Sequence, residues 1–323
     1  MRKPYPLKFT PILKERLWGG TKLGDVLGKS ISSDTTGESW ELSAVDGDVS
    51  VISNGDLSGT SLQELIHQYP EELLGKDVFR RFGKDFPILI KFIDAKRDLS
   101  IQLHPNDALA KERHNSFGKT EMWYVMDADK GANLIVGFNR DVDKAEYVQS
   151  LEENTLLELL NYEPVQEGDT FFINTGKIHA IGAGVLLAEI QQTSDITYRV
   201  FDFNRKGKDG KLRELHTDQA LDAIDYARKD DFRVAYPTTT NRINPMVACP
   251  YFNTTYLELT KDLEQDFSTR DSFTIYMCVG GSVWIENEGG KAQIQKGETV
   301  LLPASSQRVL LRTTGAKLLE VTL

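Results

Sequence analysis

Histidine is scarce in this chain, with five in 323 residues, and two of the five sit where they could do chemistry. Ser100-Ile-Gln-Leu-His104-Pro105 alternates polar and apolar residues, so in a strand Ser100, Gln102 and His104 share one face, and Pro105 ends it. Further on, Lys119-Thr-Glu121 again places two charged residues on one face. His179 closes the turn Gly176-Lys-Ile-His179. Two imidazoles, a carboxylate and an amide oxygen make a donor set suited to zinc with an open coordination position. His67, in mid-helix, and His114, in a polar loop, read as surface residues.

A second polar stretch punctuates a strand-like run with Glu189, Gln191, Asp195 and Arg199. Such groups are expensive to bury without a partner or a use. The guanidinium of Arg199 suits a two-point grip on a phosphate or another oxyanion; the alternative is a salt bridge to Asp195 or Asp202. Asn204 to Arg213 then holds five cations against one acid. It reads either as a solvated loop or as one that draws an anion toward Arg199.

These groups need a scaffold. Short β-branched and aromatic runs at Met122–Val125, Thr170–Ile173, Thr274–Met277 and Thr299–Leu302 alternate with turn residues, the pattern of a β-sandwich or barrel. Gly168 to His179 lines up without a gap on Gly297 to Arg308. Each copy runs turn, buried strand and second turn, so two similar β domains are expected. Arg308 stands in the slot of His179, and no histidine follows His216, so the second copy is expected to hold no metal. Helical periodicity predicts a helix opened by a capping box at Ser61 and Glu64, one from about Asp143 to Leu160, and one starting at Thr217. The breakers around Tyr236-Pro and Asn244-Pro set the expected division at residues 1–238 and 239–323.

With 38 basic and 48 acidic residues the chain carries a net charge of −10, which argues against nucleic acid or an anionic membrane as partner. Cys249 and Cys278 form no CxxC pair, which suits a reducing cytoplasm. The N-terminus has no signal-like apolar core, and the apolar runs at 86–93 and 185–187 are too short to span a bilayer.

The combination Trp18-Gly-Gly20, Gly37-Glu-Ser-Trp40-Glu41, Lys91, Ser100-x-Gln102-x-His104-Pro105, Lys119-x-Glu121, Gly176-x-x-His179-Ala180 and Gln191-x-x-Ser194-Asp195-x-x-x-Arg199 resembles the type I phosphomannose isomerases of the cupin superfamily, in their short bacterial form. The resemblance implies a mainly β fold of two cupin-like jelly-roll barrels with a few helices inserted or appended. It implies one zinc ion per chain held by Gln102, His104, Glu121 and His179. Arg199 and Lys119 would be the catalytic cations, and Lys91, Ser100 and Asp195 would line the substrate site. The implied reaction interconverts mannose 6-phosphate and fructose 6-phosphate through a cis-enediol, with Glu189, His179, Lys119 and a zinc-bound hydroxide all open as the base. A glucose 6-phosphate isomerase, a non-catalytic sugar-binding cupin and an iron-dependent cupin oxygenase are the competing readings. A hexose phosphate is the expected partner, and the sequence leaves the oligomeric state open.

Overall fold

Strands that alternate need sheets with two chemically different faces, and the computed structural model, which describes residues 4–207 and 209–323, is mainly built of such sheets. A six-stranded antiparallel sheet runs in the order Ile12–Gly20, Thr36–Leu42, Ile88–Ala95, Val185–Gln192, Glu121–Ala128 and Thr170–Ile173. Facing it, a five-stranded sheet runs in the order Tyr198–Phe201, Ile101–Leu103, His179–Ile181, Asn133–Phe138 and Leu160–Pro164.

The six-stranded sheet is buried on both faces, which is why Ile88–Ala95 and Val185–Gln192 are buried at every residue. One face, with Ile90, Phe92, Ala188, Met122 and Tyr124, packs on the helix of Leu62, Leu65 and Ile66 and on Phe252, Phe273 and Leu319 from later in the chain. The other, with Ile93, Val125 and Leu187, meets Leu134, Val136 and Ile181 of the facing sheet. That five-stranded sheet turns Ile101, Leu103, Tyr198 and Val200 outward beneath Tyr147, Leu156 and Ala220. Full burial of one such side chain contributes about 1.5–3 kcal/mol. The space between the two sheets is thereby fixed from both sides.

A seven-stranded sheet starts at Ile243 and is dominated by two long strands, Thr274–Asn287 and Arg308–Thr322, which pair with each other and with four shorter ones. Its interior holds Leu257, Tyr276, Val283, Val300 and Leu311. It also holds a polar set in which the Tyr276 hydroxyl donates to Glu320 Oε2 at 2.6 Å, Gln265 donates to the Tyr276 oxygen at 2.8 Å, and Arg270 donates to Glu320 Oε1 at 3.1 Å.

The capping box forms, with Ser61 Oγ accepting from the Glu64 amide, and the strands at Thr170–Ile173 and Thr299–Leu302 have the expected bounds. The glycines opening the two repeat copies match, with φ of +91° at Gly168 and +88° at Gly297. The copies diverge at their ends, where His179 is buried and Arg308 is exposed. Two expectations are corrected. The helix read from Asp143 to Leu160 spans Lys144–Glu152; Asn154, with φ of +58°, breaks it before a 3-10 turn at Leu156–Leu159, and Leu160 begins a strand. The helix expected at Thr217 begins there and runs to Leu221, with Ala220 and Ile224 turned inward. Asn244-Pro245 lies within the strand Ile243–Ala248, tolerated because that strand is at the sheet edge and bulges beside Pro245. No helix among the described residues is long and apolar enough to cross a membrane.

Candidate active site and metal centre

Strand register brings the polar residues into two facing rows. In the six-stranded sheet Trp40, Lys91, Glu189 and Trp123 are successive cross-strand neighbours. In the five-stranded sheet the row is Arg199, Gln102 and His179. Between the rows lies a cavity of about 410 Å³, reached by Lys91, Ser100, Gln102, Lys119, His179 and Glu189, with Asp195, Arg199 and Arg213 also on its wall.

His104, Glu121 and His179 converge at one side, with a ligand atom from each lying within 4.8 Å of the others. Glu121 Oε2 is 3.5 Å from His104 Nε2, and Oε1 is 3.5 Å from His179 Nε2. Each imidazole is aimed from behind: Nδ1 of His104 donates to the Ile196 carbonyl and Nδ1 of His179 to the Lys177 carbonyl, both at 2.8 Å. A carbonyl can only accept, so the proton sits on Nδ1 and the Nε2 lone pair faces Glu121. The turn before His179 is tied in by the Gly176 amide, which donates to the His104 carbonyl at 2.9 Å. Gly176 has φ of +81°, and a Cβ there would lie 2.5 Å from the Ala223 carbonyl oxygen, so only glycine fits.

The residues fit a divalent metal. Glu121 Oε1 and Nε2 of His179 are buried and accept no hydrogen bond, while Glu121 Oε2 faces the Lys119 ammonium; each unmet buried acceptor costs on the order of 1–3 kcal/mol unless a cation satisfies it. Burial, with Lys119 and His179 beside it, keeps His104 neutral well below its ordinary titration range. Burial likewise pushes His179 down to about 3, leaving two neutral nitrogen donors. Gln102 is less closely tied, with its Oε1 3.4 Å from the Ser100 hydroxyl that donates to it.

The cations are arranged around the carboxylates. Lys119 Nζ lies 3.0 Å from Glu121 Oε2 and 3.2 Å from His104 Nε2. Burial works against its charge, but Glu121 and Glu189 outweigh that and raise its pKa, so the depressed value a lysine base would require is not found. Lys91 Nζ lies 3.0 Å from Glu189 Oε2 and donates to Gln191 Oε1 at 2.7 Å. Trp123 donates to Glu189 Oε1 at 3.0 Å. Burial alone would raise Glu189; Lys91 and Lys119 hold it below the usual carboxylate range. Arg199 makes no salt bridge to Asp195 or Asp202: its Nε donates to Ser100 Oγ at 3.2 Å and Nη1 to the Glu214 carbonyl at 3.0 Å.

Three charged wall residues, Arg16, Glu38 and Arg213, had no individual signal in the sequence. Glu38 accepts from Arg16 Nε at 3.1 Å, from Arg16 Nη2 at 2.9 Å and from Trp40 Nε1 at 2.7 Å. Burial opposes its charge, yet Lys91 and Arg16 overcome this and hold Glu38 at about 2. The alternation of Glu38 with Trp40 was available to reveal a shared face, but their pairing with Arg16 depends on a bulged register between distant strands. Arg213 is lost among the cations of its loop.

A family model described as phosphomannose isomerase type I, catalytic domain, matches residues 7–136, and one described as mannose-6-phosphate isomerase, cupin domain, matches residues 242–319. The chain is 39% identical over 251 residues to the mannose-6-phosphate isomerase ManA of Bacillus subtilis, covering 77% of this chain and 78% of that one. It is 33% identical to the mannose-6-phosphate isomerase of Streptococcus mutans over 92% of both chains. The crystal structure of a Bacillus subtilis mannose 6-phosphate isomerase superposes with a TM-score of 0.89 over 99% of both chains at 32% identity. Likeness in sequence along nearly the whole length, in fold and in both family models leads to one conclusion: the chain belongs to the type I phosphomannose isomerases, the mannose-6-phosphate isomerases of cupin fold.

Proposed function

We propose that the chain interconverts mannose 6-phosphate and fructose 6-phosphate with one zinc ion, held by His104, Glu121 and His179 with Gln102 beside them, through a cis-enediol. The observation that carries the metal is the pair of buried ligand atoms, Glu121 Oε1 and His179 Nε2, that no hydrogen bond satisfies. When bound, zinc supplies a redox-silent Lewis acid for the charge that develops on O1 and O2 of the sugar.

The remaining work falls to the protein. A proton leaves C2 of the open-chain aldose, the electrons of that bond become the C1–C2 double bond, and the former carbonyl electrons move onto O1, which takes up a proton to give the enediol. A proton then returns to C1, and the hydrogen on O2 departs to leave the ketone. Glu189 suits the transfer at C2 because it is held in its charged form and faces the cavity. Lys91 and Trp123 fix its orientation. Lys119, held as a cation beside Glu121, stabilises negative charge on the sugar oxygens. Arg199, with Ser100 locking its Nε, orients the phosphate end, and Asp195 stands at the exposed mouth. The same reading places the enzyme in the cytoplasm and confines the metal to residues 1–238.

Chelation tests this directly. Removing the metal should abolish isomerisation of mannose 6-phosphate and zinc should restore it, while His179→Ala should retain less than one zinc per chain. Full activity in metal-free protein would overturn the metal assignment.

A further inference from the structure

The basic loop after Arg199 is folded back on the site by an acid. Asp202, only 5% exposed, accepts from Arg213 Nε at 2.6 Å and also from Arg213 Nη2, and on its other side from Arg205 Nε at 3.1 Å. Arg205 in turn reaches the Asp98 carbonyl. The far end of the loop is closed by two hydrogen bonds between His216 and the Arg199 backbone, at 2.7 Å and 3.1 Å. Two guanidinium groups thus share the Asp202 carboxylate, and one of them, Arg213, joins Arg199 on the cavity wall.

The directions of the donors matter more than the count. Arg199 has Nε and Nη1 committed to Ser100 and the Glu214 carbonyl, and Arg213 has Nε and Nη2 committed to Asp202. Among the described residues no hydrogen bond is made by Arg199 Nη2 or Arg213 Nη1, and both side chains line the cavity. Each arginine is locked along one edge with donor capacity left on the other, so little side-chain freedom remains to be lost on binding. A dianionic phosphate matches two such donors in charge and geometry.

We propose that Arg213 binds the substrate phosphate together with Arg199, and that Asp202 is the positioning residue that presents it. This rests on the sugar-phosphate reading above, and goes beyond it in assigning the phosphate subsite to Arg213 and to the Asp202 that holds it. The pair is therefore part of the enzyme's discrimination between phosphorylated and neutral sugars. Asp202 contributes orientation rather than charge, since it neutralises one of the cations it holds.

The test is made on zinc-loaded full-length protein, with inorganic phosphate as a direct probe beside mannose 6-phosphate as substrate. Arg213→Gln should weaken phosphate binding, read by calorimetry, by about ten- to a hundredfold, the span of one charge-assisted hydrogen bond. It should raise KM for mannose 6-phosphate by a similar factor while kcat changes less than about threefold. Asp202→Asn should raise KM with no loss of cationic charge from the loop, a result that general electrostatic attraction does not produce. Arg213→Lys guards against a folding defect; it keeps the charge and should recover part of the phosphate affinity. Unchanged phosphate affinity and KM in folded, zinc-replete Arg213→Gln would overturn the proposal, as would equal loss of kcat and unchanged KM in all three variants. Wild-type protein that binds phosphate in an Arg213-dependent way but turns over no mannose 6-phosphate would instead refute the isomerase reading and leave the subsite standing.

Discussion

Replacing Glu38 by Gln should remove a stabilisation that depends on pH in a specified way. Glu38 is almost fully buried, and the charges of Lys91 and Arg16 outweigh that burial to lower its pKa from 4.5 to about 2. A depressed carboxylate pKa stabilises the fold above the unfolded value and loses that contribution as pH falls toward the folded value. A drop of about 2.5 units corresponds to about 3 kcal/mol at pH 7, and about half of that remains at pH 3. Glutamine keeps the shape and can still face Trp40, but it carries no charge to hold Arg16. The assay is urea unfolding of metal-free wild type and Glu38→Gln between pH 7 and pH 3, where the difference between the two curves isolates this residue from every other titrating acid. Their gap should be about 3 kcal/mol at neutral pH and narrow by about 2 kcal/mol between pH 5 and pH 3. A gap that stays constant, or widens as pH falls, would refute the electrostatic account.

Arg199→Lys keeps a positive charge but cannot hold Ser100, the Glu214 carbonyl and substrate at once; kcat/KM for mannose 6-phosphate should fall about ten- to a hundredfold in steady-state assays, with zinc content unchanged. Tyr276→Phe breaks the buried set of Gln265 and Glu320 in the seven-stranded sheet, far along the chain from the catalytic rows. It should cost about 1–3 kcal/mol in denaturant unfolding and leave KM as it was. Trp123→Phe removes the donor that orients Glu189 Oε1 and should lower kcat more than it changes KM, as seen in the same steady-state assay.

Local rules were legible in the sequence wherever a residue's neighbours along the chain decide its structure. The capping box at Ser61 is one case, and the turn-strand-turn of Gly168 to His179 is another. The approach of His104, Glu121 and His179 followed from strand alternation together with the repeat, because each side chain stands at a strand end whose parity fixes its face. Asn154, of a residue type that tolerates the left-handed conformation, offered a local stop that Leu156, Leu157, Leu159 and Leu160 obscured by prolonging the helical pattern. Where the decision depends on partners far along the chain, the sequence was silent. Pro245 signalled a boundary because only the sheet shows that its strand lies at an edge. Glu38 and Arg213 each owe their place to a partner reached by folding, Arg16 across a bulged ladder and Asp202 across a loop. The continuous burial of Ile88–Ala95 hid Lys91 within an apolar run, since both faces of that strand are covered.

The central claim is proton transfer through an enediol within this cavity, and the most direct measurement is isotope incorporation by the zinc-loaded enzyme in deuterium oxide. Fructose 6-phosphate formed from mannose 6-phosphate should carry deuterium at C1, detected by NMR and mass spectrometry, to an extent set by how freely the proton held on the protein exchanges with solvent. In ordinary water, complete transfer of deuterium from C2-deuterated mannose 6-phosphate to C1, with no solvent hydrogen entering after prolonged equilibration, would contradict the account.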